Sequence, residues 1–291
     1  MSELPTHTLR IDLEGRFIEP VAAVLFENGV VVLEERAGTL GYKLVAWANG
    51  EPHAKKLEEA ARSVLGEASS KIGRESQAEF EITSAVPSET AKWTQQVEPV
   101  EMMPGVFVCP RGPLAPPKPD GLVIEVEAAL AFGFGDHPTT QMAAASLNEY
   151  FTDHAGSMLD AGTGSGVLAV FAGLRGASDV LGIDIDPLSV ASSRRSAELC
   201  GVADRCRFAF GSPERLSEQF DLVMANLDGP TLVLLCEGLY ACCRPGGQFR
   251  LSGFNQTFCP EVQQAFTALG AIETGRRDDA PWVLLELKRP L

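Results

Sequence analysis

Hydrophobic and polar positions divide the chain into two stretches of different rhythm. Thr8-Leu9-Arg10-Ile11-Asp12-Leu13 alternates with the period of a half-buried strand. Ile18 to Glu27 can form an amphipathic helix and runs into Asn28-Gly29, a helix stop. Val30 to Glu34 and Tyr42 to Ala48 read as two further strands, with Gly38 and Gly41 at the turn between them. Pro52 to Gly66 places Leu57, Ala60, Ala61, Val64 and Leu65 at helical spacing, and Glu79-Phe80-Glu81-Ile82 closes the set as a strand. The order βαββαβ predicts a small α+β, ferredoxin-like unit over residues 1–84.

Residues 85–103 are polar, carry Trp93 and predict a linker helix. Val106–Cys109 and Leu122–Val126 flank the proline-rich stretch Pro110 to Pro119 and read as a hairpin leading into a second domain, 104–291. A helix is expected from Thr139 to Phe151. Strands ending at Asp160, Asp184, Phe210, Ala225 and Leu251 then alternate with helices at Pro187–Cys200, Pro230–Cys243 and Pro260–Leu269, before a last strand at Val283–Leu287. Such alternation predicts an α/β domain with a parallel sheet covered on both faces, and a terminal hairpin would give it one mixed edge.

Composition narrows the function classes. No run approaches the ~18 apolar residues of a membrane span, and the acidic start of the chain does not read as a signal peptide. Seven cysteines without a C-x-x-C pair read as buried apolar residues of a reducing cytoplasm. Four histidines, none at ligand spacing, leave no metal site in view. The net charge of −15, with no clustered Lys and Arg, argues against direct nucleic-acid binding and favours encounter with a basic partner.

The candidate chemistry sits in Met158 to Pro187, MLDAGTGSGVLAVFAGLRGASDVLGIDIDP. A strand ends at Asp160, the turn Gly162-Thr163-Gly164-Ser165-Gly166 opens a helix, and a second strand ends at Asp184. That unit holds an adenosine-bearing ligand at the carboxyl edge of a parallel sheet. Its glycines let the backbone approach the ligand without a Cβ, and Asp184 can accept both ribose hydroxyls. Nicotinamide and flavin proteins share this geometry, so an NAD-dependent oxidoreductase is the alternative of a different class. Their spacing is G-x-G-x-x-G, however, whereas here it is G-x-G-x-G after Asp160. A carboxylate there repels a diphosphate and suits a cationic ligand such as S-adenosylmethionine (AdoMet).

Four ordered motifs carry a family resemblance over nearly the full length. Phe132 to Thr140, Asp160 to Gly166, Gly182-Ile183-Asp184-Ile185-Asp186-Pro187 and Ala225-Asn226-Leu227 resemble, at consistent spacing, the signatures of the ribosomal protein L-eleven methyltransferase family. The resemblance implies a Rossmann-like, seven-stranded AdoMet-dependent methyltransferase domain behind an N-terminal substrate-recognition domain. It implies Thr140, Gly162, Asp184 and Asn226 as cofactor residues, beside the Asp160 and Gly164 of the turn, and makes the 132–140 loop a cofactor lid. The implied activity is methylation of lysine or N-terminal amines of a basic protein, most directly a ribosomal one, by a cytoplasmic monomer. Asn226 and the Leu227 carbonyl are expected to receive the amine. His137 reads as a loop-fixing hydrogen bonder and Asp228 as a helix-cap acid. Phe134, Asp136 and the surroundings of Trp93 depart from the family pattern, which leaves another protein or a small amine as the alternative substrate.

Overall fold

A computed structural model describes residues 6–30, 33–73, 75–85, 98–111, 118–127 and 135–291. The N-terminal unit is β1 (His7–Leu13), α1 (Ile18–Glu27), β2 (Leu33–Gly38), β3 (Gly41–Ala48), α2 (Glu51–Ile72) and β4 (Ala78–Ser84). Its antiparallel sheet runs β2-β3-β1-β4, the order of a ferredoxin-like sandwich. Leu9, Ile11 and Leu13 of β1 pack against Val21, Ala22 and Leu25 of α1 and Leu57, Ala61 and Leu65 of α2. The buried carboxylate of Asp12 fixes the β2–β3 turn by accepting the Thr39 N–H at 2.7 Å and the Leu40 N–H at 2.8 Å. Helix α2 outruns its predicted end at Gly66 and stops at Gly73, whose φ of +69° is the left-handed cap glycine tolerates.

Two expectations for the following stretch are corrected. The segment Val100–Met103 is a strand, β5, not the end of a linker helix: Met102 is buried, and Gly105 at φ +74° turns the chain back into β6 (Val106–Arg111). The remainder of the expected linker, with Trp93, lies outside the described residues. Strands β6 and β7 (Leu122–Glu127) pair parallel, not as a hairpin. The tight turn belongs to β5–β6, so β6 already has its antiparallel neighbour, and the longer connection returns the chain to start β7 alongside it.

The large sheet has the order β10-β9-β8-β11-β12-β14-β13. Its strands are β8 (Ser157–Ala161), β9 (Asp179–Asp184), β10 (Cys206–Phe210), β11 (Phe220–Asn226), β12 (Cys243–Asn255), β13 (Ile272–Asp279) and β14 (Trp282–Lys288), with β14 antiparallel to both neighbours. Helices α3 (Pro138–Asp153), α4 (Val167–Leu174) and α5 (Pro187–Leu199) cover one face, and α6 (Gly229–Ala241) and α7 (Cys259–Ala268) the other. Alternate residues serve the two cores: Met158, Val180, Leu222 and Met224 face the first, and Leu159, Leu181, Val223 and Ala225 the second. Arg244–Gly247 is a register jump inside β12, which pairs Cys243 with Phe220 and then Gln248 with Leu222. Strand β13 was not legible, because its residues are almost all exposed and polar. Among the described residues no helix is long and apolar enough to cross a membrane, and no metal-binding cluster occurs. All seven cysteines are free.

The two units touch through α5. Leu188 and Ala191 are buried in the N-terminal core, against α1. Arg194 of the same helix bonds Glu19 of α1 and donates to the Phe208 carbonyl at 2.7 Å.

Candidate active site

The chain runs from β8 outward through β9 and β10, then returns to lay β11 and β12 on the other side. The crevice between the carboxyl ends of β8 and β11 is therefore the topological switch point, where open α/β sheets bind ligands. A cavity of about 610 Å³ lies there, within the size range of small-molecule sites. It brings together every residue singled out above for cofactor or amine: Thr140, Asp160, Gly162, Gly164, Asp184, Asn226 and Leu227. Phe132 and Phe134 of the expected lid lie outside the described residues.

Each position follows from local structure. Asp160, the last residue but one of β8, is fully buried and accepts from the Thr163 hydroxyl at 2.8 Å. Gly162 and Thr163 donate their N–H groups to the Ile183 carbonyl at 2.9 and 3.0 Å, so the turn folds onto the end of β9. Asp184 accepts the Gly164 N–H at 2.9 Å on one oxygen and the Asp186 N–H at 3.0 Å on the other. The backbone N–H groups do not use all of the carboxylate's lone-pair sites, so it can still accept from a hydroxyl. Gly162 sits at φ +75°, and a Cβ there would come within 2.4 Å of Leu227 Cδ2. This is the close approach that glycine permits.

The side of the cavity expected to receive the amine is built from α3 and β11. His137 caps α3, with its Nδ1 2.7 Å from the Thr139 hydroxyl, and its ring meets Trp282 edge-on at 4.6 Å. Thr140, buried in the first turn, accepts from Asn226 Nδ2 at 3.3 Å. Asn226 Oδ1 is buried without a hydrogen-bond partner. Asp228 caps α6, accepting from Thr231 N at 3.0 Å and from the Thr231 hydroxyl at 2.7 Å. Asp228 thus caps a helix as the sequence suggested, whereas His137, expected to fix its loop, is the cap of α3.

Charge matches this geometry. Burial, helped by the nearby Asp184 charge, pushes Asp160 up to about 6. Burial also raises Asp184, against the backbone N–H groups of Asp186, Gly164 and Ile185 that favour its ionised form. A nearby cation would favour the ionised forms that burial disfavours. For Asp160 the linkage runs one way. Between pH ~4 and ~6 the folded chain keeps a proton that the unfolded chain has lost, so stability falls as pH rises through that window. The total is about 3 kcal/mol. A bound cation reverses the preference, so the Kd for a sulfonium ligand is expected to tighten from pH 5 to pH 7, by up to about tenfold per unit below pH 6. Calorimetric titration across that range checks it, and a Kd indifferent to pH contradicts it.

Sequence reasoning passed over several lining residues. Ile185 and Leu234 line the cavity although they are 75% and 78% exposed. They offer apolar walls to a flat base, and the signal was an isoleucine lodged between Asp184 and Asp186. Gly253 was also missed. At φ +94° its Cβ would lie 2.5–2.7 Å from the backbone of Leu227, so this glycine lets β12 press against the loop after β11. Gly253→Ala is expected to cost about 2–5 kcal/mol from strain and overpacking, a fall in Tm on the order of 10 °C. Gly201→Ala, at φ +69° with nothing within 4 Å, carries the strain alone and is expected to lose less than half as much. Equal melting of the two variants would remove the steric argument.

Comparison with known proteins decides what this site belongs to. The family model of ribosomal protein L11 methyltransferase (PrmA) matches residues 23–290. The chain belongs to the ribosomal protein L11 methyltransferase family. The Cupriavidus taiwanensis ribosomal protein L11 methyltransferase is 33% identical over 251 residues, 85% of this chain and 82% of that protein. That of Burkholderia multivorans is 34% identical over 224 residues, 76% and 72% of the two. The crystal structure of ribosomal protein L11 methylase from Lactobacillus delbrueckii subsp. bulgaricus overlays with a TM-score of 0.59 at 26% identity, covering 67% of this chain and 100% of that one. As a member of this family the chain is an AdoMet-dependent protein methyltransferase, and the nicotinamide alternative falls. The buried carboxylate at the glycine turn and the close glycine approach fit AdoMet, a sulfonium nucleoside.

Proposed function

We propose that the chain methylates amine nitrogens of ribosomal protein L11, on lysine side chains or the N-terminus. In this reading residues 1–84 recognise the substrate, 85–103 link, and 104–291 carry catalysis, in a cytoplasmic monomer without direct nucleic-acid contact. The net charge of −15 supports a basic protein partner.

The cofactor would be held by Thr140, Gly162, Gly164 and Asp184, with Asp160 countering its charge. When bound, AdoMet supplies an electrophilic methyl on a sulfonium. The protein's part is alignment, which in well-oriented reactions contributes roughly 7–11 kcal/mol. One observation carries the acceptor assignment: Asn226, at the end of β11, lines the cavity, and its buried Oδ1 has no hydrogen-bond partner. An amine N–H satisfies it, and the Leu227 carbonyl accepts a second, so the nitrogen lone pair is turned into the cavity. A lysine of pKa ~10.4 must first lose a proton, at about 4.6 kcal/mol at pH 7. Transfer from water into a site facing a cation lowers that pKa, so no dedicated base is required of the chain.

Incubation of purified L11 with the enzyme and methyl-labelled AdoMet tests the assignment. Label is expected in L11, on lysine-bearing or N-terminal peptides after digestion. Label in a different protein of a whole lysate, with none in L11, would move the substrate elsewhere within the same chemistry.

A further inference from the structure

The Asn226 carboxamide works only if it is presented one way round, amide hydrogens toward Thr140 and oxygen toward the acceptor. Its amide group is tied by the 3.3 Å bond from Nδ2 to Thr140 Oγ1. That tie depends on how α3, which carries Thr140, sits against β11, which carries Asn226. The two elements come from distant parts of the sequence, and a third element holds both.

Ser252 of β12 is fully buried and lies in register beside Asn226 in the parallel β11–β12 pair. Its hydroxyl proton reaches the carbonyl of Thr139 at 3.3 Å, with the Val283 carbonyl of β14 at 3.4 Å as the competing acceptor. Its own carbonyl accepts the Leu227 N–H at 2.9 Å. One residue therefore anchors the first turn of α3 on one side and the backbone immediately after Asn226 on the other. No charge or cofactor explains a hydroxyl at this depth. An alanine would fill the same space and leave the strand pairing intact.

We infer that Ser252 is a positioning residue for the methyl transfer, which locks the Thr140–Asn226 pair so that Asn226 Oδ1 stays turned toward the incoming amine. It touches neither amine nor cofactor and acts through α3. The inference rests on the assignment of Asn226 to the acceptor amine, so that assignment is tested beside it.

The experiment measures kcat, KM for L11, Kd for AdoMet and Tm for Ser252→Ala, Ser252→Thr, Thr140→Val, the Ser252→Ala/Thr140→Val double variant and Asn226→Ala. Ser252→Ala is expected to lower kcat about tenfold, with both KM for L11 and Kd for AdoMet within twofold of the parent. Ser252→Thr, which keeps the hydroxyl, is expected to restore at least half of kcat. Without the Thr140 hydroxyl the path is already cut, so adding Ser252→Ala to Thr140→Val is expected to cost less than twofold more. A kcat for Ser252→Ala within twofold of the parent overturns the inference. So does a full tenfold loss in the Thr140→Val background, or a loss that tracks Tm and is not rescued by threonine. If Asn226→Ala loses activity while Ser252→Ala does not, the positioning role fails and the acceptor assignment stands. If Asn226→Ala keeps parental kcat, the acceptor assignment itself falls and the inference with it.

Discussion

Asn226→Ala is expected to lower kcat about 10²–10³-fold while leaving AdoMet affinity within a few-fold. The magnitude is that of removing one preorganised hydrogen-bonding group from a reacting centre. Its direction follows from the unpartnered Oδ1, which in the proposed reading gains a partner when an amine arrives. Loss of the side chain also frees the Thr140 hydroxyl, a change too small to unfold a strand end already held by β8 and β12. Single-turnover transfer with enzyme in excess separates the chemical step from binding. A parental rate in that assay would return Asn226 to a purely structural place.

Asp184→Ala is expected to weaken AdoMet binding by roughly 10²–10⁴-fold. Two hydrogen bonds from ribose hydroxyls to a charged acceptor are worth about 1.5–3 kcal/mol each, and each 1.4 kcal/mol is tenfold in Kd. Stability should move the other way. The carboxylate is half-buried and burial raises its pKa, so its ionised form carries a desolvation cost. Removing the charge relieves that cost, while the Gly164 and Asp186 N–H groups lose a partner. Asp184→Asn, which keeps a carbonyl for the Gly164 N–H, is expected to melt at or above the parental temperature and still bind AdoMet poorly. Opposite signs for stability and affinity mark a group kept for its ligand. Calorimetric titration and a thermal melt on the same preparations check both halves, and parental affinity in either variant would mean that the ribose lies elsewhere.

Much of this was legible in the chain because it was written in local chemistry. Glycines at 162, 164 and 166 and the acids at 160 and 184 specify a turn, a close approach and a charge within one βαβ unit, and the structure gathers all of them but Gly166 in the lining of one cavity. The same holds for βαββαβ, where strand and helix periods alternate cleanly. What escaped was non-local. The parallel pairing of β6 with β7 depends on β5 having taken the antiparallel side of β6, which no property of either strand reveals. Strand β13 exists because the exposed edge of β14 is available, not because Glu273 to Asp279 carries a strand pattern. Ser252 and Gly253 read as an unremarked Leu-Ser-Gly-Phe, and only the register of β12 against β11 puts them behind Asn226 and Leu227. Leu188 and Ala191 look like ordinary core of the larger unit until α1 is seen packed on them.

The central claim is that a sulfonium nucleoside lies across the carboxyl edge of the sheet, between the carboxylates of Asp160 and Asp184. A crystal structure of the protein grown with AdoMet measures this most directly. The account predicts both ribose hydroxyls within hydrogen-bonding distance of Asp184, with the methyl-bearing sulfur directed toward Asn226. A vacant crevice, or AdoMet seated in it with the ribose away from Asp184, would contradict it.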